Sequence, residues 1–210
     1  MTYVFDVVII VVLFFLFASS HSVLANFSVK ERITKKVGEK IAFYRFFYNA
    51  ASLILFTAVY LLSPKPKVQI YDLQFPFDLI IFAVQFAGII GLFWAGSFID
   101  LKEFIGINQI RRYLKNEYKI ENLDEYHQLV IRGPFKFSRH PIYFFSIIVL
   151  GFRSSMDLFY LVFFLCILVY FYVGSVYEEK NLEQRYGKLY IKYKTQVPRL
   201  IPNPFTKLKL

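Results

Sequence analysis

The chain has 210 residues, 57% of them hydrophobic and 20% aromatic, with 25 Lys and Arg against 15 Asp and Glu and a net charge of +10. A soluble domain is nearer about 45–50% apolar, so this composition excludes an ordinary soluble fold and points to a membrane protein. The one cysteine, Cys166, lies inside an apolar run, which excludes an intrachain disulfide framework and a cysteine metal cluster.

The first apolar run is VFDVVIIVVLFFLFAS, residues 4–19. No Lys or Arg occurs before Lys30, so the run lacks the basic leader of a secretory signal and reads as a retained transmembrane helix. Residues 43–62 and 76–99 each have the length to cross a hydrocarbon core of ~30 Å, with the short loop LSPKPK (62–67) between them. The third loop, 100–139, is long. Its stretch IDLKEFIGINQIRRYLK predicts an amphipathic helix that lays Leu101, Phe104, Ile105 and Ile110 on the membrane surface. Residues 141–152 are apolar but short, and 157–177 are long enough to span; the break GFRSS (151–155) makes the two a hairpin. The tail YEEKNLEQRYGKLYIKYKTQVPRLIPNPF predicts a helix continuing from the fifth segment. Leu182, Tyr186, Leu189, Tyr193 and Val197 then share one face, and Pro198 ends it. The expected fold is an all-α integral membrane protein of about five transmembrane helices, with segments 4 and 5 as a helical hairpin and a C-terminal amphipathic helix. One domain, 1–210, holds it all.

Charge placement agrees with that count. Five crossings put 22 of the 25 Lys and Arg on one side, in the first loop, the third loop and the tail. The positive-inside rule then predicts an outward N-terminus and a cytoplasmic tail, with the net charge facing anionic lipid headgroups. Basic residues scattered at helix ends, with no recognition module, speak against nucleic acid as a partner. There is no Walker loop, zinc spacing, serine triad or Gly-x-Gly-x-x-Gly, so no metal site is expected.

Two constellations carry chemistry. Arg139, His140 and Pro141 stand at the start of the fourth segment, where Pro suits the first helical turn and the positive dipole end seats an anion. Glu178 and Glu179 stand at the end of the fifth. A hairpin makes these ends neighbours, so the carboxylates approach Arg139 and His140; ionisable groups at membrane depth usually pair and often mark function. A salt bridge closing the hairpin and a ligand site are both compatible with that pairing.

Arg-His-Pro-x-Tyr at 139–143, Glu178–Glu179, the aromatic-Gly-x-x-Tyr-x-x-Tyr at 186–193 and Val197–Pro198 together resemble the signature of the membrane-embedded S-adenosylmethionine-dependent methyltransferases. That superfamily includes isoprenylcysteine carboxyl, phospholipid and methanethiol S-methyltransferases. HSVLANFSVKE (21–31), FYRFFYN (43–49) and SFIDLKEFIGINQ (97–109) resemble corresponding parts of the methanethiol branch, which extends the likeness to nearly the whole chain. The resemblance implies S-adenosyl-L-methionine as cofactor, N-terminal membrane segments and the acceptor side in 1–126, and a cofactor-binding region in 127–205. Position by position, it implies cofactor contacts from His127, Gln128, Leu129 and Val130, from Phe135 where a tyrosine is usual, from His140, Pro141, Ile142 and Tyr143, and from Glu178. Gly174 stands where the carboxyl methyltransferases carry an arginine for the prenylated substrate, which favours a small or lipophilic thiol as acceptor. His21, Asp100 and Arg139 are the acceptor-side candidates, because a thiol must lose its proton to become the nucleophile. Prenylcysteine carboxyl methylation, phospholipid methylation, an NADPH-dependent sterol-reductase-like activity and a non-catalytic membrane scaffold are the competing readings.

Overall fold

The computed structural model describes residues 2–120, 129–206 and 208. Among them four helices are long and apolar enough to cross a membrane: Tyr3–Ala25, Phe27–Leu62, Phe77–Gly96 and Leu158–Tyr186. With helices dominating and only two short strands described, the chain is an all-α integral membrane protein. It divides into two compact units, one of Met1–Pro64 with Asp100–Gln128 and the other of Lys65–Ile99 with Leu129–Leu210.

The first unit is built on α1 (Thr2–Ala25), α2 (Phe27–Val37) and α3 (Tyr44–Leu62). Ile10, Phe14 and Phe17 are buried at spacings of four and three, one stripe of α1, and Phe17 meets Phe56 of α3 edge-on with ring centroids 5.4 Å apart. Asn26 ends α1 and caps α2 by accepting from the Ser28 amide at 2.9 Å. The loop after residue 100 belongs to this unit as well. The single amphipathic helix expected there is instead two, α5 (Leu101–Ile105) and α6 (Ile107–Leu114). The break is at Gly106, whose φ of 101° is left-handed and whose missing Cβ leaves room for the Phe46 amide, 2.7 Å from where that atom would stand. Leu101, Phe104 and Ile105 remain exposed.

The second unit holds a short hairpin link, β1 (Gln69–Asp72) paired antiparallel with β2 (Ser155–Asp157), which periodicity did not reveal because both strands are brief. Its helices are α4 (Phe77–Gly96), α7 (Pro141–Gly151), α8 (Leu158–Tyr186) and α9 (Lys188–Gln196). Helix α4 lies close along α7. A Cβ on Gly88 would come within 2.9 Å of Ile148 Cγ2, and one on Gly91 would overlap the Phe145 ring; small residues allow this approach where helices pack in lipid. With 11 residues, α7 extends about 16 Å, roughly half a hydrocarbon core. Helix α8, with 29 residues, extends about 43 Å, so its end outruns the core.

The tail departs from expectation. It is not one helix continuing from α8: the chain turns at Gly187, with φ of 53°, and α9 starts on a new axis. The break shifts the buried phase. Tyr190, Tyr193 and Val197 form the buried cluster, with Leu182, Tyr186, Leu129 and Ile131 packed against it, while Leu189, expected inside, is exposed.

Candidate functional site

The second unit brings the two charged constellations together where α7 begins. Along α8, Phe159, Phe163, Ile167, Ser175 and Glu179 are buried in steps of four or eight, so Glu179 continues an inward stripe. Glu178, one residue back and about 100° around the helix, is half exposed, while Glu179 is 1% exposed.

Glu179 is saturated. Its Oε1 accepts from Arg139 Nε at 2.8 Å and Arg199 Nε at 3.1 Å, and lies 3.2 Å from His140 Nε2. Its Oε2 accepts from Arg199 Nη2 at 3.1 Å, with Lys194 Nζ at 3.6 Å. The hydrogen bond from Arg199 to this carboxylate raises the guanidinium pKa further above its usual range. Arg139 also donates through Nη1 to the Lys194 and Val197 carbonyls. These belong to the end of α9, where orphan carbonyls and the negative dipole end favour a cation. Arg139, an acceptor-side candidate by sequence, is thus engaged in holding the tail.

The tail then crosses the entry to α7. The amides of Arg139 and His140 donate to the Pro198 and Arg199 carbonyls at 2.9 and 3.0 Å, and the Asn203 amide donates to the Phe137 carbonyl at 2.9 Å. Ser138, fully buried, adds its hydroxyl to the Arg199 and Leu200 carbonyls. Tyr193 donates its hydroxyl to the Phe135 carbonyl at 2.6 Å. Burial pushes the Tyr190 and Tyr193 phenols well above their ordinary pKa; in Tyr190, Glu179 adds to that push. The Tyr190 hydroxyl is buried without a hydrogen-bond partner among the described residues.

Glu178 is held differently. Its Oε2 accepts from the Tyr143 hydroxyl at 3.2 Å and lies 3.5 Å from His140 Nδ1. The His140 and Tyr143 rings stack at 5.2 Å, and Tyr143 stacks on Phe171 at 4.7 Å. The aromatic pile fixes Tyr143, and among the described residues no hydrogen bond reaches the other Glu178 oxygen, Oε1. Of the other residues singled out by sequence, Leu129 packs on the Tyr190 cluster, Val130, Phe135 and Ile142 are half buried, and Pro141 is buried at the first turn of α7. His127 and Gln128 lie outside the described residues. Sequence reasoning missed Arg199 and Lys194. A signal for them existed: a carboxylate on an inward stripe needs partners, and the tail is where unassigned cations remained.

Another face of α7, turned toward α4, carries an open apolar groove of about 480 Å³. Trp94 of α4, Phe137 before α7, Pro141, Phe144 and Phe145 of α7, and Ile201 of the tail supply much of its wall.

The first unit holds the other two candidates. His21 Nδ1 is 2.8 Å from Ser52 Oγ and its Nε2 is 2.6 Å from the Tyr48 hydroxyl, a pairing that ties α1 to α3. Asp100 caps α5, accepting from the Glu103 amide at 3.0 Å. Glu103 itself grips Arg112 through two bonds of 3.0 and 2.6 Å, which raises the guanidinium pKa.

Comparison with known proteins bears on the family. A family profile described as phospholipid methyltransferase matches residues 83–189. Methanethiol S-methyltransferase 1 of Bradyrhizobium diazoefficiens is 31% identical over 200 residues, covering 93% of this chain and 67% of that protein. Methanethiol S-methyltransferase of Pseudomonas deceptionensis is 26% identical over 196 residues, covering 92% of this chain and 71% of that protein. No solved structure matches the chain. An all-α membrane fold, the clustered motif residues and these matches together show that the chain belongs to the membrane-embedded methyltransferases of the phospholipid methyltransferase family, with its similarity running to their methanethiol branch.

Proposed function

We propose that the protein transfers a methyl group from S-adenosylmethionine to a small or lipophilic thiol such as methanethiol. The observation that carries this reading is the division of labour between adjacent glutamates. Glu179 is neutralised by two guanidiniums, whereas Glu178 keeps a half-exposed carboxylate beside the positive end of α7. That donor set fits the cofactor, which bears an ammonium, a sulfonium and a carboxylate: Glu178 suits a cation, and the first turn of α7 suits the carboxylate. When bound, the cofactor supplies a methyl carbon on a sulfonium sulfur, which a thiolate takes to give a thioether and S-adenosylhomocysteine, with the thiol proton released to water.

The residues assigned to holding it are Glu178, His140, Pro141, Ile142 and Tyr143 at the helix entry, Leu129, Val130 and Phe135 before it, and His127 and Gln128 from the resemblance. The chain's contribution is to hold the cofactor and the acceptor near attack distance in a site poor in water, worth about 7–11 kcal/mol. His21 and Asp100 are retained as acceptor-side groups. The charge distribution supports an outward N-terminus, with the tail and the cofactor site cytoplasmic. A Cβ at Gly174 would meet nothing within 4 Å, so packing does not demand glycine there, and the missing guanidinium alone supports the thiol branch over prenylcysteine methylation.

Calorimetric titration of the detergent-purified protein with S-adenosylhomocysteine, with NADPH in parallel, tests the cofactor. Binding of the former alone is expected, and Glu178→Ala should weaken it about 10–100-fold, the loss of one charge-assisted contact, with the melting temperature kept. Unchanged affinity in Glu178→Ala would remove the site assignment, and NADPH binding alone would move the protein to the reductases. Acceptors are then compared by transfer to methanethiol, a prenylcysteine and phosphatidylethanolamine.

A further inference from the structure

His140 is gripped at both ends by one tail residue. Its amide donates to the Arg199 carbonyl at 3.0 Å, and the Ser138 hydroxyl donates to the same carbonyl at 3.1 Å. Its ring nitrogen Nε2 lies 3.2 Å from Glu179 Oε1. The Arg199 side chain holds that carboxylate through Nε to Oε1 and Nη2 to Oε2, both at 3.1 Å. Two parallel bonds fix a carboxylate in direction as well as in place. The guanidinium is itself seated over the Tyr172 ring of α8, 5.6 Å from its centroid.

The other ring nitrogen, Nδ1, lies 3.5 Å from Glu178 Oε2. The imidazole is thus a spacer between the saturated glutamate and the half-exposed one. Without the Arg199 side chain, Glu179 Oε2 would keep Lys194 at 3.6 Å and Oε1 would keep Arg139, among the described residues. The partly released charge would act on the ring whichever nitrogen carries the proton: an Nε2 proton is drawn toward it, and an Nε2 lone pair is pushed away. Either movement shifts Nδ1 against Glu178. Arg139 cannot be separated in this way, because its side chain is 8% exposed and also donates to the Lys194 and Val197 carbonyls. The Arg199 side chain is 26% exposed, and its part in the backbone seam is played by its carbonyl, which a substitution keeps.

We propose that Arg199 is a positioning residue for the cofactor site: acting through Glu179 and the His140 ring, it sets the direction in which Glu178 presents its carboxylate. The proposal rests on the assignment of Glu178 to a cation of the cofactor, and it makes the tail the element that tunes that site. Arg199 acts at one remove, so its loss weakens the cofactor's binding in ground state and transition state alike and leaves the acceptor's untouched.

The test is a double-mutant cycle on S-adenosylhomocysteine affinity, measured by calorimetry on the detergent-purified full chain as wild type, Arg199→Ala, Glu178→Ala and the double variant. Arg199→Ala is expected to weaken binding about 5–20-fold in the wild-type background and less than twofold once Glu178 is already gone, because the path it acts through is then cut. Arg199→Lys keeps the charge but not the fork, so it should lose about two- to fivefold. It carries the cycle should Arg199→Ala melt below the assay temperature. In turnover with methanethiol, the KM for S-adenosylmethionine should rise by the same factor as the dissociation constant, with kcat and the methanethiol KM within twofold of wild type. Affinity within twofold of wild type in Arg199→Ala overturns the proposal. So does an equal loss with and without Glu178, which would mean a direct contact or a general loosening of the tail. A fall in kcat with both KM values unchanged would mean a merely structural role and overturns it as well. Unchanged affinity in Glu178→Ala is a separate result: it removes the cofactor assignment itself, and this proposal with it.

Discussion

Glu178 and Glu179 are identical side chains one residue apart with opposite circumstances. The pairing of these glutamates with Arg139 and His140 was readable from the hairpin alone, because antiparallel segments bring the start of one beside the end of the other. Which glutamate is consumed was readable only in part: the buried stripe through Phe163, Ile167 and Ser175 points at Glu179, but the partners that neutralise it arrive from Arg199 and Lys194 on the tail. A buried ion pair stripped of one partner leaves an uncompensated charge, at a cost of about 3–5 kcal/mol. Glu179→Ala is therefore expected to strand Arg139 and lower the melting temperature sharply, whereas Glu178→Ala keeps it. Thermal unfolding of both variants without ligand checks this; equal melting temperatures would mean that the Glu179 cluster does not hold the tail.

At the scale of elements, hydropathy located the apolar part of each long helix but stopped short of the ends of α1 and α8. Segments 43–62, 76–99, 141–152 and 157–177 correspond to α3, α4, α7 and the first two thirds of α8. Two of the errors fall where a glycine breaks an otherwise continuous periodicity. Gly106 divides the predicted surface helix into α5 and α6, and Gly187 divides the tail from α8. Extrapolating one helical phase across Gly187 put Leu189 inside in place of Tyr190. The corrected face has a consequence for pH. Burial raises the Tyr190 and Tyr193 pKa above the ordinary 10.0, so the folded state keeps their protons where the unfolded chain has lost them. Their contribution to stability is complete below about pH 10 and is lost as pH climbs toward the raised values. The melting temperature should thus fall above pH 10, and less steeply in Tyr190→Phe, which also removes the unpartnered hydroxyl. An alkaline limb of the same slope in both proteins would assign the loss elsewhere.

For the whole molecule, composition alone excluded a soluble protein, and the basic residues distribute as an oriented membrane protein requires. That orientation is testable. In a Cys166→Ser background, Thr195→Cys should react with an impermeant thiol reagent only from the cytoplasmic side, and Lys67→Cys only from the opposite side; the reverse pattern would invert the proposed topology. What the sequence by itself determined is membrane embedding, the hairpin of α7 and α8 and the family motifs. Each of these depends on local hydropathy, charge or spacing, which a linear chain carries in full. Only the tertiary structure decided that Glu179 is saturated while Glu178 stays half exposed, that Arg139 holds the tail, and that an apolar groove lies on another face of α7. Those outcomes depend on rotation about helix axes and on where the chain returns after Gly187, and both are set by packing between segments rather than within one.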